Sequence, residues 1–311
     1  MNKTFSTINK QFLTRWIYVA EQVGIPPRAY HPQVKLVRDE TGKSSYTAGI
    51  IFNPFRLERP FNLEKSERCS LCQALKESQT IMPYKDIAPQ ISKNFLITAN
   101  LFPYIIGSSI AISKEVNELE RPMYNTRNLE GLTSELNEVF SIADKLGLKV
   151  FHNSYGAGAS IPNHEHWHLL DFGTSYDQVG EKYGFDAAEK VSLKRNKKIR
   201  IMPGFPFAHL IFNREDLDLI VYFLGNLGEK IGKNYPCNQV PHTLSQGTEG
   251  ILIIPYKIHK ERCPGAADVA GHYQGCKTIK EFNNVTLDAF FSKMGEILFK
   301  RDELDLTAFL Q

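Results

Sequence analysis

No uninterrupted apolar run in the 311-residue sequence approaches the length of a membrane span. The N-terminal segment has a helical apolar rhythm, but Lys10, Arg15 and Glu21 interrupt it, which excludes the apolar core of a signal peptide. Only five cysteines occur, an odd number in a chain without a secretory signal, so we expect a reducing compartment. The sequence therefore predicts a cytoplasmic protein with no membrane partner.

The sequence also lacks a marked excess of either charge. There are 37 Lys and Arg residues against 34 Asp and Glu residues, a net charge of +3, and no block of like charges stands out. A groove for a polyanion needs clustered positive charge, so we expect no nucleic-acid partner and favour a small anionic ligand. The apolar content of 42% is enough to bury a sizeable core, which excludes a disordered chain.

Strand and helix patterns occur in mixed order, and the order recurs in the second half. Residues 128–146 have the apolar spacing of an amphipathic helix that ends at a C-capping Gly147, and strand patterns follow on both sides of a glycine-rich turn. Beyond the charged stretch 189–200 a strand, a helix and two strands recur in looser form, without a fixed-period repeat. We predict an α+β fold with helices packed on an antiparallel sheet.

Three histidines alternate in the run His164-Glu165-His166-Trp167-His168. Alternate residues of a strand share a face, so the three imidazoles are predicted to line one surface. The turn just before them, residues 156–160, is made of small residues that let backbone N–H groups approach an anion, and Ser160 adds a hydroxyl. Hydrogen-bond donors beside a nucleophilic nitrogen suit the α-phosphate of a nucleotide.

Two other interpretations of the histidines stay open at this point. Imidazole is the commonest metal ligand, so the three side chains could bind a metal ion. They could also form a solvated strand face with no function. The glycine-rich turn alone is weak evidence, because many hairpins contain one; its position next to the histidines is what favours a phosphate site.

The same residues resemble the signature of the histidine-triad superfamily, and specifically its two-repeat branch. That branch contains galactose-1-phosphate uridylyltransferase, GDP-galactose phosphorylase and diadenosine tetraphosphate phosphorylase. The resemblance covers residues 46–171 well and residues 206–256 faintly. Its motifs are Asn53-Pro54-Phe55-Arg56, Cys69-Ser70-Leu71-Cys72, Asn100-Leu101-Phe102-Pro103, Phe151-His152-Asn153, and the turn and histidines from Gly156 to His168.

The resemblance implies a nucleotidyltransferase or phosphorylase that acts on a nucleotide sugar or a dinucleoside polyphosphate. His166 would attack the α-phosphorus and form a nucleotidyl-histidine, which phosphate or a phosphorylated acceptor then discharges; no organic cofactor is implied. The resemblance implies that His164, His168 and Ser160 support catalysis. Asn153 and the backbone at Gly158 would hold the phosphate, and Arg56 would neutralise its charge. Asn100 and Phe102 would bind the nucleoside.

Position 168 departs from the family pattern, since the transferase and phosphorylase members usually have glutamine there. Histidine is typical of the small hydrolase-like members, and it could donate a proton to the leaving group. Hydrolysis of the same substrates is therefore one alternative. A nucleotide-binding regulator without chemistry is the other, although an intact triad counts against it.

The resemblance also implies one structural zinc ion bound by Cys69, Cys72 and His164. A structural zinc site has four ligands in tetrahedral array, and the histidine that the family supplies is missing from residues 108–118. Glu118 or a residue from elsewhere would have to complete the site. The alternative is a pair of reduced thiols at a turn.

Three segments are predicted from the resemblance. Residues 1–45 would form an N-terminal helical extension, residues 46–188 the first histidine-triad-like repeat with the catalytic motif, and residues 189–311 a second, degenerate repeat with a C-terminal helix. The second repeat contains Gly250-Ile251-Leu252-Ile253-Ile254-Pro255 where the first has its histidines. It would shape the substrate pocket rather than react.

Overall fold

A computed structural model describes residues 8–39, 41, 46–57, 86–114, 131–158, 166–171, 186–187, 199–236, 239–248, 250–259 and 263–310 of the chain. The strands of this part are β1 Gln33–Arg38, β2 Thr47–Phe52, β3 Phe95–Ala99, β4 Ser109–Ser113, β5 Lys149–Asn153, β6 His166–Leu170, β7 Asp186–Ala187, β8 Arg200–Ile201, β9 Leu210–Phe212, β10 His242–Gln246, β11 Ile251–Pro255 and β12 His272–Tyr273. Its α-helices are α1 Lys10–Gln22, α2 Pro54–Leu57, α3 Leu132–Leu146, α4 Leu217–Ile231, α5 Ala266–Val269, α6 Ile279–Asn284 and α7 Leu287–Gly295.

Nine of the described strands form one antiparallel sheet in the order β3-β4-β6-β5-β10-β11-β9-β8-β7. The order β3-β4-β6-β5 recurs as β8-β9-β11-β10, and in each group a long helix, α3 or α4, joins the second strand to the third along the chain. The two groups meet at the pair β5–β10, where Thr243 lies opposite Asn153. The predicted α+β fold with two repeats and an antiparallel sheet is confirmed.

Apolar side chains on both faces of this sheet are buried, so the sheet is the middle layer of the molecule. On one face, residues such as Val150, Trp167 and Leu244 pack with apolar residues of α1, α3 and α4. On the opposite face, Phe151 and Leu252 pack with residues of β2 and of the helices α5 to α7. Alternation along each strand therefore separates two cores, and β6 contributes to both.

A second sheet contains β1, β2 and β12 and so brings together strands from the two halves of the chain. β1 pairs antiparallel with β2, while β12 pairs parallel with β2. Residues 33–38 thus form a strand inside the stretch 1–45 that was expected to be a helical extension, because this strand finds a partner in β2. The boundaries 1–45, 46–188 and 189–311 stay predictions. None of the helices in the described part of the chain is long and apolar enough to cross a membrane.

Helix α3 ends at Gly147 as the sequence predicts. Gly147 has φ 69° and ψ 31°, the left-handed conformation, and its N–H donates back to the carbonyls of Ala143 and Asp144. Only glycine adopts this conformation without a steric penalty from Cβ. The chain then turns directly into β5, so this cap helps to set where that strand begins.

We expect Gly147→Ala to lower the free energy of unfolding by about 1 kcal/mol, because the Cβ of alanine is sterically unfavourable in the left-handed conformation. Urea denaturation measures the loss. The matched control is Gly131→Ala at the start of the same helix, where φ is −88° and no heavy atom lies within 4 Å of the added Cβ. Equal effects of the two substitutions would contradict the capping role.

Candidate active site

Strand β6 presents two histidines on one face of the large sheet. His166 is buried, with 2% of its surface exposed, and its ring centroid lies 5.3 Å from that of His168. Trp167 points to the opposite face, where its Nε1–H donates to a carboxylate oxygen of Glu135 on α3 at 3.0 Å. Anchoring Trp167 under the helix holds the neighbouring imidazoles on the other side, as strand alternation predicts.

The neighbouring strand β5 carries Asn153 on the same face of the sheet. Phe151 lies opposite His168, and Asn153, two residues further along β5, points to the same side as Phe151. The Asn153 side-chain oxygen accepts a hydrogen bond of 2.5 Å from the backbone N–H of Ala266, in the second repeat. Asn153 therefore links β5 to the start of α5.

His152 and His242 form a buried polar layer behind this face. The His152 ring lies 4.3 Å from the Trp167 ring, on the helical side of the sheet. Burial, and then the neighbouring rings of His242, His166 and His168, hold the pKa of His152 well below its usual range. Burial likewise lowers the pKa of His242 to about 4, against a hydrogen bond to the carbonyl of Val240. Both imidazoles are therefore neutral at cellular pH.

Arg56 reaches the site through Tyr104, a residue that sequence reasoning missed. The Arg56 guanidinium donates to the carbonyl of Phe102 and lies 3.6 Å from the centroid of the Tyr104 ring. The Tyr104 ring meets that of His168 edge to face at 6.0 Å. The motif found in the sequence ended at Pro103, one residue before Tyr104. Because arginine side chains often pack on aromatic rings, looking for an aromatic partner of Arg56 would have pointed to Tyr104.

The loop after β3 holds the other residues predicted at the nucleoside. The Asn100 side-chain oxygen accepts from the N–H of Phe102 at 3.0 Å, and the Phe102 ring stacks with Phe55 at 5.8 Å. The hydroxyl of Ser108 accepts from the N–H groups of Tyr104 and Ile105 at 3.0 and 2.9 Å. The structure thus brings Arg56, Asn100 and Phe102 into one loop cluster, which contacts His168 through Tyr104.

The turn after β5 packs backbone against backbone with the second repeat. Gly156 and Gly158 have φ 81° and 82°. A Cβ on Gly158 would lie 2.6 Å from the carbonyl oxygen of Cys263, and a Cβ on Gly265 would lie 2.8 Å from the side-chain oxygen of Asn153. Glycine is therefore required at both positions by close approach, and the segment 263–266 forms a wall of the site.

Several predicted residues lie outside the described part of the chain, namely Ser160, His164, Cys69, Cys72 and Glu118. Their roles, and the zinc site that three of them would form, stay predictions. Among the described residues no group of three or more His, Cys, Asp or Glu side chains could hold a metal ion.

The described residues define a two-repeat α+β protein with two adjacent histidines on one face of its large sheet, and comparison with solved structures agrees at the level of fold. The chain is similar to yeast Ap4A phosphorylase Apa2 in its complexes with AMP and with Ap4A, each with a TM-score of 0.61 and 13% sequence identity. Each match covers 94% of this chain; it covers 98% of Apa2 in the AMP complex and 99% in the Ap4A complex. A third structure of Apa2 is similar as well, with a TM-score of 0.61 and 14% sequence identity, and the match covers 98% of this chain and 100% of that one. No protein-family model and no curated protein sequence matches the chain.

Asp171 follows β6 and is 9% exposed. Burial raises its pKa to about 6, and the charge of Lys149 opposes this only in part. A raised pKa means that the folded protein binds this proton more tightly than the unfolded chain does. The carboxyl therefore stabilises the fold below its unfolded pKa near 3.8, and that stability is lost as the pH rises through about 6.

Asp171→Asn should raise the free energy of unfolding at pH 7.5 by about 1 to 2 kcal/mol, after allowance for solvent screening, and should have little effect at pH 4. Denaturation curves at the two pH values measure the difference. Asp144→Asn is the control, because Asp144 is exposed and pairs with Arg214, so this substitution should bring no gain at either pH. A pH-independent effect of Asp171→Asn would contradict the assigned titration.

Proposed function

We propose that the protein is a phosphorylase or nucleotidyltransferase that acts on dinucleoside polyphosphates or nucleotide sugars through a nucleotide covalently bound to His166. The observation that carries the proposal is the arrangement on one face of the sheet, where His166 lies beside His168 and the neighbouring strand β5 carries Asn153. The similarity in fold to a phosphorylase solved with AMP and with Ap4A supports a dinucleoside polyphosphate as the first substrate to test.

The chemistry follows from the nucleophilicity of a neutral imidazole. In the first step a ring nitrogen of His166 forms a bond to the α-phosphorus, the bond from phosphorus to the leaving oxygen breaks, and its electron pair departs with the leaving group. In the second step an oxygen of phosphate or of a phosphorylated acceptor attacks the same phosphorus, and the electron pair of the P–N bond returns to the imidazole. Covalent catalysis thereby divides one difficult transfer into two easier ones.

The surrounding residues suit the two ends of a nucleotide. The half-buried aromatic pair Phe55 and Phe102 offers a surface for a nucleoside next to His168. Arg56 supplies a positive charge near the same point, held by the Tyr104 ring. Asn153, Ser160 and the backbone of the turn at Gly158 would hold the phosphoryl oxygens, His164 would support the nucleophile, and a zinc ion on Cys69, Cys72 and His164 would have a structural role only.

His166→Ala should abolish turnover, a loss of roughly a thousandfold or more, because the nucleophile is gone. The measurement is intact-protein mass spectrometry after brief exposure to Ap4A and nucleotide sugars, quenched at alkaline pH because phosphoramidates are acid-labile. We expect a mass gain of one nucleoside monophosphate in the unaltered protein and in the control His31→Ala, an exposed histidine, and none in His166→Ala. Near-normal activity of His166→Ala would overturn the mechanism.

Hydrolysis is the second candidate function, favoured by the imidazole of His168 beside the nucleophile. A histidine can take a proton from water, whereas the attacking oxygen of phosphate is already anionic and needs no base. Turnover that is equally fast with and without phosphate would establish a hydrolase. Binding of nucleotide with neither adduct nor product would instead establish a regulator.

We expect His168→Gln to slow the water-dependent reaction by about a hundredfold and to leave most of the phosphate-dependent transfer intact. Product analysis with and without inorganic phosphate measures both rates on the same preparation. Equal losses in the two reactions would show that His168 does not act on water.

A further inference from the structure

His259, which follows β11 in the second repeat, lies directly against the glycine-rich turn of the first. A Cβ on Gly156 would lie 2.1 Å from Cδ2 and 2.6 Å from Nε2 of the His259 ring, so the imidazole occupies the space that a side chain at position 156 would fill. The Tyr155 ring meets the same imidazole at 4.6 Å. Nε2 is buried and has no hydrogen-bond partner among the described residues.

The ammonium group of Lys257 does not lie against the turn as His259 does. Lys257 is two residues away, and its ammonium group donates to the carbonyl of Gly295 at 2.7 Å, on the side of α7. Of the residues that the structure describes at this strand end, His259 combines a buried ring nitrogen with contact to the turn. A buried polar nitrogen that none of the described residues pairs carries a free-energy cost, which a bound ligand would offset.

Sheet order separates His259 from the residues proposed at the nucleoside. The loop from Asn100 to Tyr104 joins β3 to β4, on one side of β6, whereas β5, β10 and β11 lie on the other side. In a displacement at a phosphorus bound to His166, the nucleoside stays attached and the leaving group departs in another direction. If the nucleoside lies on the side of β4, the turn and His259 border the opposite side of β6, where the exchanged anion would be bound.

We propose that His259 binds the exchanged anion, which is the departing polyphosphate in the first step and the incoming phosphate in the second. This inference rests on the proposed function and adds a substrate-binding residue from the second repeat. The imidazole donates a hydrogen bond to a non-bridging phosphate oxygen. The absence of a Cβ at Gly156, where φ is 81°, lets the ring lie this close to the turn. Hydrogen bonds to charged groups are stronger than neutral ones, so the effect is measurable.

The test begins with nucleotidyl-enzyme, prepared with Ap4A and freed of excess substrate. Inorganic phosphate is then added, and the decay of the adduct is followed by mass spectrometry. We expect His259→Ala and His259→Gln to slow the phosphate-dependent decay by about tenfold or more at subsaturating phosphate, while decay in water alone stays within about twofold of the unaltered enzyme. His31→Ala is the control and should change neither rate.

A double-mutant cycle tests the role of Gly156. Gly156→Ala alone should reproduce the loss of phosphate-dependent decay, because the new Cβ displaces the imidazole. In the His259→Ala background the same substitution should have a smaller effect on this rate, because only the strain of the positive φ at Gly156 remains. Thermal unfolding of every variant separates this result from a general loss of structure.

The outcomes distinguish the two proposals. Failure of the unaltered protein to form any adduct would overturn the proposed function itself. An adduct that phosphate discharges equally fast in the unaltered protein and in both His259 variants would overturn only the role of His259. Additive effects of Gly156→Ala and His259→Ala would likewise contradict the contact as the cause.

Discussion

The antiparallel pairing of β5 with β10 is the interaction on which the rest of this structure depends. It aligns Phe151, His152 and Asn153 with Ser245, Leu244 and Thr243, and it turns two groups of four strands into one continuous sheet. Ser154 and His242 reinforce it with two bonds, since the N–H of Ser154 donates to the His242 carbonyl at 3.0 Å and the N–H of His242 donates to the Ser154 hydroxyl at 2.7 Å. The site lies where this seam reaches the glycine-rich turn, so its geometry depends on both repeats.

The two repeats share topology but use equivalent faces differently. β6 places His166 and His168 on the face of the site, whereas the topologically equivalent β11 carries Leu252 and Ile254 on the same side of the sheet, within the core that α5 to α7 cover. An imidazole in that core would have to be buried without water, at a cost that apolar side chains do not carry. The second repeat contributes backbone, through the segment 263–266, and the side chain of His259 instead.

Much of the fold was predictable because its signals are local. The helical spacing that ends at Gly147 and the alternation of His166 with Trp167 are set by neighbours in sequence, and the structure agrees with both. Contacts between distant segments have no such signal. Three contacts in the site join residues at least 48 positions apart in sequence: Arg56 with Tyr104, Asn153 with Ala266, and Gly156 with His259. Local periodicity does not indicate such contacts. β1 illustrates the same limit, since residues 33–38 form a strand only because β2 is available as a partner, and strand propensity is a weak guide to such a segment.

The most direct test of the central claim is a crystal structure of the protein after reaction with Ap4A at alkaline pH. The account predicts continuous density from a ring nitrogen of His166 to the α-phosphorus of a nucleoside monophosphate, with the base beside Phe102. A nucleotide bound elsewhere on the protein, with His166 unmodified and buried as before, would contradict it.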